Sequence, residues 1–289
     1  MKNKLFLFFI LYFFKGYSQT APSAGNSGCA AVLPANYMQV RYNAANTQNL
    51  VNTLNHDICV NKKLSIVFYI IADSSGNNGV TQTNLNDIIN RLNRTFKRIC
   101  VSFMNCSTVI IPVHPYNRWS KDTIEAVVTK NWYTENTINF YIPQTILGEA
   151  AGYAYYPGGK DVIVVEKASM ADTSGVVAIH EMGHFLGLPH TFSEISSTST
   201  STPSQELVNR TNCTTKGDGF CDTEADGYPQ NSGGGPPCDN SPGAKDANND
   251  YYISPVDNYM SYFNCRCRFS QEQYNFMATI VLTQRHYLH

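Results

Sequence analysis

The chain is 289 residues long, with a formal net charge of −1, 43% hydrophobic and 15% charged residues. That length suits one large or two ordinary domains with ample apolar content for a core. The near-neutral balance leaves no basic footprint for nucleic acid or an anionic membrane. At the amino terminus Lys2 and Lys4 precede the apolar run Leu5 to Phe14, and Gly16-Tyr17-Ser18 offers small residues where a signal peptidase reads. Residues 1–18 are therefore expected to be a secretory signal. The run falls short of the roughly 20 residues a bilayer span needs, and no later segment is a candidate, so no stable membrane anchor is expected. All nine cysteines follow the signal, which in an exported chain reads as disulfides with one thiol left over.

Residues 19–61, rich in Ala, Asn, Ser and Pro, read as a pro-segment or amino-terminal extension, with a helix expected from Asn36 to Leu54. Residues 62–289 form the main domain. Leu64 to Ala72 is a β-branched and aromatic run that predicts a buried strand. Leu85, Ile88, Ile89, Leu92, Phe96 and Ile99 recur at helical spacing and predict a helix from Gln82 to Ile99. Val101 to Met104, Val109 to Val113 and Asn139 to Ile142 read as further strands. Cys100 and Cys106 flank the first of these and are candidates to close a small hairpin-like loop. Gly152 to Pro157 and Val162 to Val165 lie either side of Gly158-Gly159, so two neighbouring strands joined by a turn are expected. This order describes an α/β sheet with a helix beneath it.

That helix is expected to start at a Thr173 or Ser174 cap and to pack through Val176, Val177, Ile179 and Phe185. It carries three of the seven histidines within the eleven residues HEMGHFLGLPH, His180 to His190. His180 and His184 are one helical turn apart on one face, so their imidazoles can converge on a tetrahedral ion. Glu181 sits beside the first ligand, where its carboxylate can reach a metal-bound water. Gly187 can adopt the left-handed conformation that ends a helix, and Pro189 keeps it from resuming. The turned chain returns His190 as a third nitrogen, leaving one position for water, as in a catalytic zinc site.

Ser193 to Ser204 is a Ser/Thr-rich surface tract without periodicity. Asn212 to Asp226 gathers Asp218, Asp222, Glu224 and Asp226 around Gly217 and Gly219. Such oxygen-rich turns suit calcium, a solvated acidic loop being the competing account, and the spacing is not that of an EF-hand. Cys213, Cys221, Cys238, Cys265 and Cys267 all lie beyond the histidines, so at least one bridge is expected to staple this half. A last helix carries Tyr274, Met277, Ile280 and Val281 at helical spacing.

The pattern HExxHxxGxxH is the metzincin signature. Continued by Thr191 and Phe192, it resembles the pappalysin-like branch, peptidase family M43. The resemblance runs from about Lys62 to the carboxyl end and is densest at 180–192 and 257–271. It implies a metzincin-type zincin: a mixed twisted sheet with an active-site helix, an upper subdomain to about residue 190, and a smaller irregular, disulfide-stapled lower subdomain over 191–289. By the same resemblance Met260, in Asp257 to Tyr262, forms an apolar floor under the zinc, and Tyr262 donates toward the oxyanion. Gly152, Tyr153, Ala154, Tyr155 and Tyr156 become the edge strand to which substrate backbone adds. GDGFCDT, Gly217 to Thr223, matches the family's GD-x-x-x-DT element, some members of which hold calcium beside the active site, with Asp218 and Asp222 as candidate ligands; Glu224 stands where those proteases usually carry proline. Many metzincins silence themselves with a cysteine or aspartate on the metal, and Cys29 is the early cysteine available for that, although Gly28-Cys29-Ala30 lacks the fuller switch pattern and a disulfide with Cys59 or a free thiol are the competing accounts.

The implied activity is that of a secreted, monomeric zinc endopeptidase acting on proteins or peptides, with Glu181 as general base. A catalytically silent zinc-binding adhesin on the same fold and a cell-wall peptide amidase stay open as alternatives. Glu181 speaks against the first, since a purely structural site has no use for a carboxylate there.

Overall fold

A computed structural model describes residues 33–41, 58–148, 150–172, 174–197, 202–227, 238 and 244–289. The expected signal, Cys29, the Thr173 cap and most of the helix foreseen over residues 36–54 lie outside these; of that helix, 37–41 are helical.

Helices and strands alternate through the first half. In order they are β1 (Lys62–Ile71), α1 (Gln82–Phe96), β2 (Val101–Ile111), β3 (Arg118–Trp119), α2 (Ile124–Asn131), β4 (Ile138–Ile142), β5 (Thr145–Ile146), β6 (Gly152–Ala154), β7 (Val162–Val165), α3 (Lys167–Ala171) and α4 (Val176–Phe185), with α5 (Gln271–Thr283) closing the chain. Five strands make one sheet in the order β2-β1-β4-β7-β6, and β3 pairs with β5 apart from it. All neighbours in the large sheet are parallel except β6, which runs antiparallel to β7. A parallel sheet is buried on both faces, which is why β7 and residues 66–71 of β1 read as unbroken apolar runs and β4 is interrupted only by Asn139. One face packs against α1, α4 and α5 through Ile66, Phe68, Phe140, Ile163, Val165, Met182, Phe185 and Met277. The other packs Tyr69, Tyr141, Tyr153 and Val164 against Trp119 and Val128.

Local signals explain the helix ends. Thr81 caps α1 and Ser270 caps α5, each in a reciprocal capping box with Asn84 and Gln273. The amino end of α4 differs from expectation: its cap is Gly175, at φ +63°, with no side-chain cap bond. A side chain there would meet Arg91, so a glycine holds the cap position in close packing against α1, while the Ser174 hydroxyl one residue earlier accepts from Val176 N at 3.3 Å and the Ser174 amide donates to Asp172 Oδ1 at 2.9 Å.

The two strands read over 101–104 and 109–113 are one strand, β2, with a bulge. Ile66 pairs with Asn105 and Val67 with Ser107, so Cys106 is the extra residue. Along a strand, Cys100 and Cys106 stand about 20 Å apart at about 3.3 Å per residue. The foreseen Cys100–Cys106 bridge is therefore excluded; Cys100 is bonded to Cys59, and Cys106 is a free, exposed thiol. Cys267 is also free.

Between α4 and α5 the described residues form no regular helix or strand beyond isolated bridges. Two disulfides, Cys213–Cys221 and Cys238–Cys265, cross-link this stretch, supplying by covalent restraint what secondary structure does not. No helix among the described residues is long and apolar enough to cross a membrane.

Candidate metal centre

Helix α4 presents His180 and His184 on one face, both buried. It ends where the sequence predicts: Gly187 takes φ +93° and donates to His184 O at 2.8 Å, while Leu188 N donates to Gly183 O at 2.9 Å. That left-handed turn swings the chain so that His190 returns to the same point. His184 Nε2 lies 3.1 Å from His180 Nε2 and 3.0 Å from His190 Nε2, and the ligand atoms of the three residues all fall within 4.8 Å of one another.

The hydrogen bonds behind the rings fix what those nitrogens are. His180 Nδ1 donates to Tyr259 O at 2.6 Å and His184 Nδ1 to Leu188 O at 2.7 Å. Each of these rings then carries its proton on Nδ1, leaving a lone pair on Nε2. Burial lowers His184 to about 4, and lowers His180 and His190 well below the usual histidine range, with the neighbouring imidazoles adding to the effect on both. Neutral imidazoles with lone pairs aimed at one point repel unless a cation sits between them. Tetrahedral zinc, with ligands at 2.0–2.1 Å, spaces its nitrogens by about 3.3 Å, so the residues present fit zinc.

The surroundings hold this arrangement. Met260 is wholly buried, and a Cβ on Gly183 would stand 2.5 Å from its Sδ; the glycine lets the methionine sit directly under the helix between the two ligands. Thr191 N donates to Met260 O at 3.2 Å, and Met260 N donates to Asn258 Oδ1 at 2.9 Å. The turn that carries Met260 thus also supplies the carbonyl that orients His180. The Tyr262 ring lies 4.9 Å from that of His190 and 5.9 Å from that of His180.

Glu181 is fully buried. Its neighbour is the edge strand: a Cβ on Gly152 would lie 3.0 Å from both Cγ and Oε1 of Glu181. Two pleats along, Tyr156 brings its hydroxyl to 3.0 Å from His184 Nδ1. Even-numbered residues of this segment thus face α4, as period-two alternation requires. Nothing in the sequence signals that Gly152 and Tyr156 approach Glu181 and His184, because the approach depends on how the edge segment packs on α4.

The two candidate calcium ligands part company. Asp222 Oδ2 accepts from Glu272 N at 2.8 Å, at the start of α5, while its Oδ1 is buried without a hydrogen-bond partner among the described residues. Asp218 is wholly buried, accepting from Phe220 N and Thr223 Oγ1. Near Asp218 lie three acids the motif did not single out as ligands: Glu206, Asp226 and Glu194, all buried. Both carboxylate oxygens of Glu206 are buried without a hydrogen-bond partner among the described residues. Burial, reinforced by Asp218, pushes Glu206 up to about 9, and burial pushes Asp218 up to about 8.

A model of peptidase family M43, described as pregnancy-associated plasma protein-A, matches residues 121–282, more than half of the chain. Extracellular metalloprotease 1 of Coccidioides posadasii (strain C735) is 24% identical over 288 residues, covering 92% of this chain and 93% of that protein. An extracellular metalloprotease of Pyricularia oryzae is 27% identical over 169 residues, 52% of this chain and 50% of the relative. Among solved structures, a Tannerella forsythia promirolysin mutant superposes with a TM-score of 0.55 at 18% identity, covering 90% of this chain and 96% of that one, a likeness of fold. With the metzincin architecture and its three converging histidines already in place, the match over residues 121–282 makes this chain a zinc metalloendopeptidase belonging to peptidase family M43.

Proposed function

We propose that the chain is an exported endopeptidase in which His180, His184 and His190 hold zinc and Glu181 is the general base. The convergence of three Nε2 atoms on one point carries the reading. When bound, zinc supplies Lewis acidity that lowers a water's pKa toward about 7 and polarises a peptide carbonyl. Glu181, buried beside the first ligand, takes the proton from the attacking water and passes it to the leaving amine. Tyr262, over the His190 ring, donates its hydroxyl to the developing oxyanion. Met260 keeps the floor apolar and the ligands rigid. Substrate backbone pairs with the free edge of β6, the last strand of the sheet. Export is supported by three disulfides among the described residues and by relatives named as extracellular. Stripping the protein with a zinc chelator should abolish cleavage of casein, and about one equivalent of zinc per chain should restore it. Cleavage indifferent to chelation would exclude the mechanism.

A calcium ion is the second proposal, carried by the orphaned Glu206 carboxylate beside buried Asp218, with Asp222, whose Oδ1 is likewise without a partner among the described residues, as a further candidate ligand. The pH dependence follows from sign. In cation-free protein the folded state holds protons on Glu206 and Asp218 up to about 9 and about 8, whereas the unfolded chain releases them near the ordinary carboxylate range. The native state binds more protons across that window, so stability falls as pH rises from about 5 to about 9. Calcium should flatten that slope and raise the melting temperature at pH 8, and Glu206→Gln should remove most of the calcium effect. Equal melting curves at pH 8 with calcium and with a calcium chelator would reject the site.

A further inference from the structure

Outside the metal centre, one buried acid gathers more partners than any packing requirement explains. Glu125, the second residue of α2, is wholly inaccessible. Its Oε2 accepts from Tyr153 Oη at 2.6 Å, and its Oε1 accepts from Tyr155 Oη and from Lys160 Nζ, both at 2.7 Å. Trp119 Nε1 donates in turn to Tyr153 Oη at 2.6 Å. Desolvating a carboxylate costs several kcal/mol unless it is paired and fully hydrogen-bonded. Here the first turn of a helix, a lysine ammonium and two phenols meet that requirement together. Burial and the neighbouring Glu125 charge hold both phenols above the ordinary tyrosine range, so they remain donors.

The placement of those phenols gives the cluster its meaning. Tyr153 and Tyr155 point to one face of the edge segment, while Gly152 and Tyr156 touch Glu181 and His184 on the other. The strand is thus gripped from one side by Glu125 at alternate residues and presses on the reacting groups from the other. Lys160 belongs to the turn between β6 and β7, so the same carboxylate also ties down the loop that returns the edge strand to the sheet.

We propose that Glu125 is a positioning residue for substrate: by clamping Tyr153, Tyr155 and Lys160 it fixes the free edge of β6 at the height over the metal centre where an extended peptide can pair with it. The proposal rests on the reading that substrate adds to this strand. Backbone pairing is worth most when the template strand is already ordered, since a loose strand must lose its own entropy before it binds. Glu125 therefore acts on extended substrates, through KM, and on the reach of the site along the peptide.

The test is a fluorogenic peptide series growing from one residue on each side of the scissile bond to four, assayed on the zinc-loaded enzyme. The native chain should gain in kcat/KM with length. Glu125→Ala should cut that gain by about tenfold, chiefly through KM, and Glu125→Gln, which keeps the shape and an acceptor, should restore much of it. Should the alanine variant fail to fold, Tyr155→Phe, which removes one hydroxyl at a half-buried position, should lower the gain by about threefold. A length gain left intact in a folded variant of lowered stability would make Glu125 merely structural and overturn the proposal. A native enzyme with no length gain at all would remove the strand-addition reading and the clamp with it.

Discussion

Replacing Glu181 with glutamine should lower kcat for peptide hydrolysis by about 1,000-fold, in the range that a positioned general base supplies. Glutamine retains the shape that packs against Gly152 but cannot accept a proton, so the loss isolates chemistry from packing. Zinc content should stay near one per chain, because His180, His184 and His190 are oriented by Tyr259 O, Leu188 O and the turn at Gly187, none of which involves Glu181. The measurement is single-turnover cleavage of a fluorogenic peptide beside metal analysis of the same preparation. Turnover within about tenfold of the native rate would assign the proton transfer elsewhere. Loss of metal together with activity would show that the carboxylate holds the ligands in place rather than moving a proton.

The largest effect on stability is expected at Arg285. Its side chain is wholly buried and donates to Phe185 O at 3.2 Å, to Tyr155 O at 2.9 Å and to the Asp161 carboxylate, with the guanidinium 3.7 Å over the Phe185 ring. One group thus ties the carboxyl-terminal end of the histidine helix, the end of the edge segment and the β6–β7 turn to the tail of the chain. Arg285→Met would fill the volume but leave the buried Asp161 carboxylate without its counter-charge, held only by the Tyr287 and Tyr133 hydroxyls, and take the donor from two carbonyls. Breaking a buried pair in this way costs about 3–5 kcal/mol. That corresponds to a fall of roughly 10 °C in melting temperature for a domain of this size. Arg285→Lys should recover little, because a point charge cannot reach three acceptors held in the guanidinium's plane. A guanidinium chloride midpoint within experimental error of the native one would refute the hub. Zinc affinity should weaken alongside, since the last turn of α4 carries His184.

Much of the metal centre was legible before any fold was known, because its information is local. Two histidines one helical turn apart, a glycine that can take positive φ and a third histidine three residues later specify a ligand set through short-range geometry alone, and the structure brings those nitrogens together. The major strands and helices were equally legible from their periodicity, with errors where tertiary contact overruled a local preference. Gly175 caps α4 because Arg91 leaves no room for a side chain, and one bulged strand replaces two because β1 extends alongside it without a break.

The ligand triad, the family those residues resemble and the longest strands and helices can therefore be read from the chain alone, whereas the short α2, α3, β3 and β5 cannot. Packing in three dimensions sets which cysteines meet, which acids share a buried space, and which side chains reach the metal-site residues from other elements. Cys59 and Cys100 lie 41 residues apart, and Arg285 reaches Phe185 across 100. Such partners are chosen by how layers stack, and no period of 2 or 3.6 residues carries that information. Buried polar atoms must find partners wherever the packed chain offers them, which is why Glu125 and Arg285 acquired their importance only once the sheet and helices were in place.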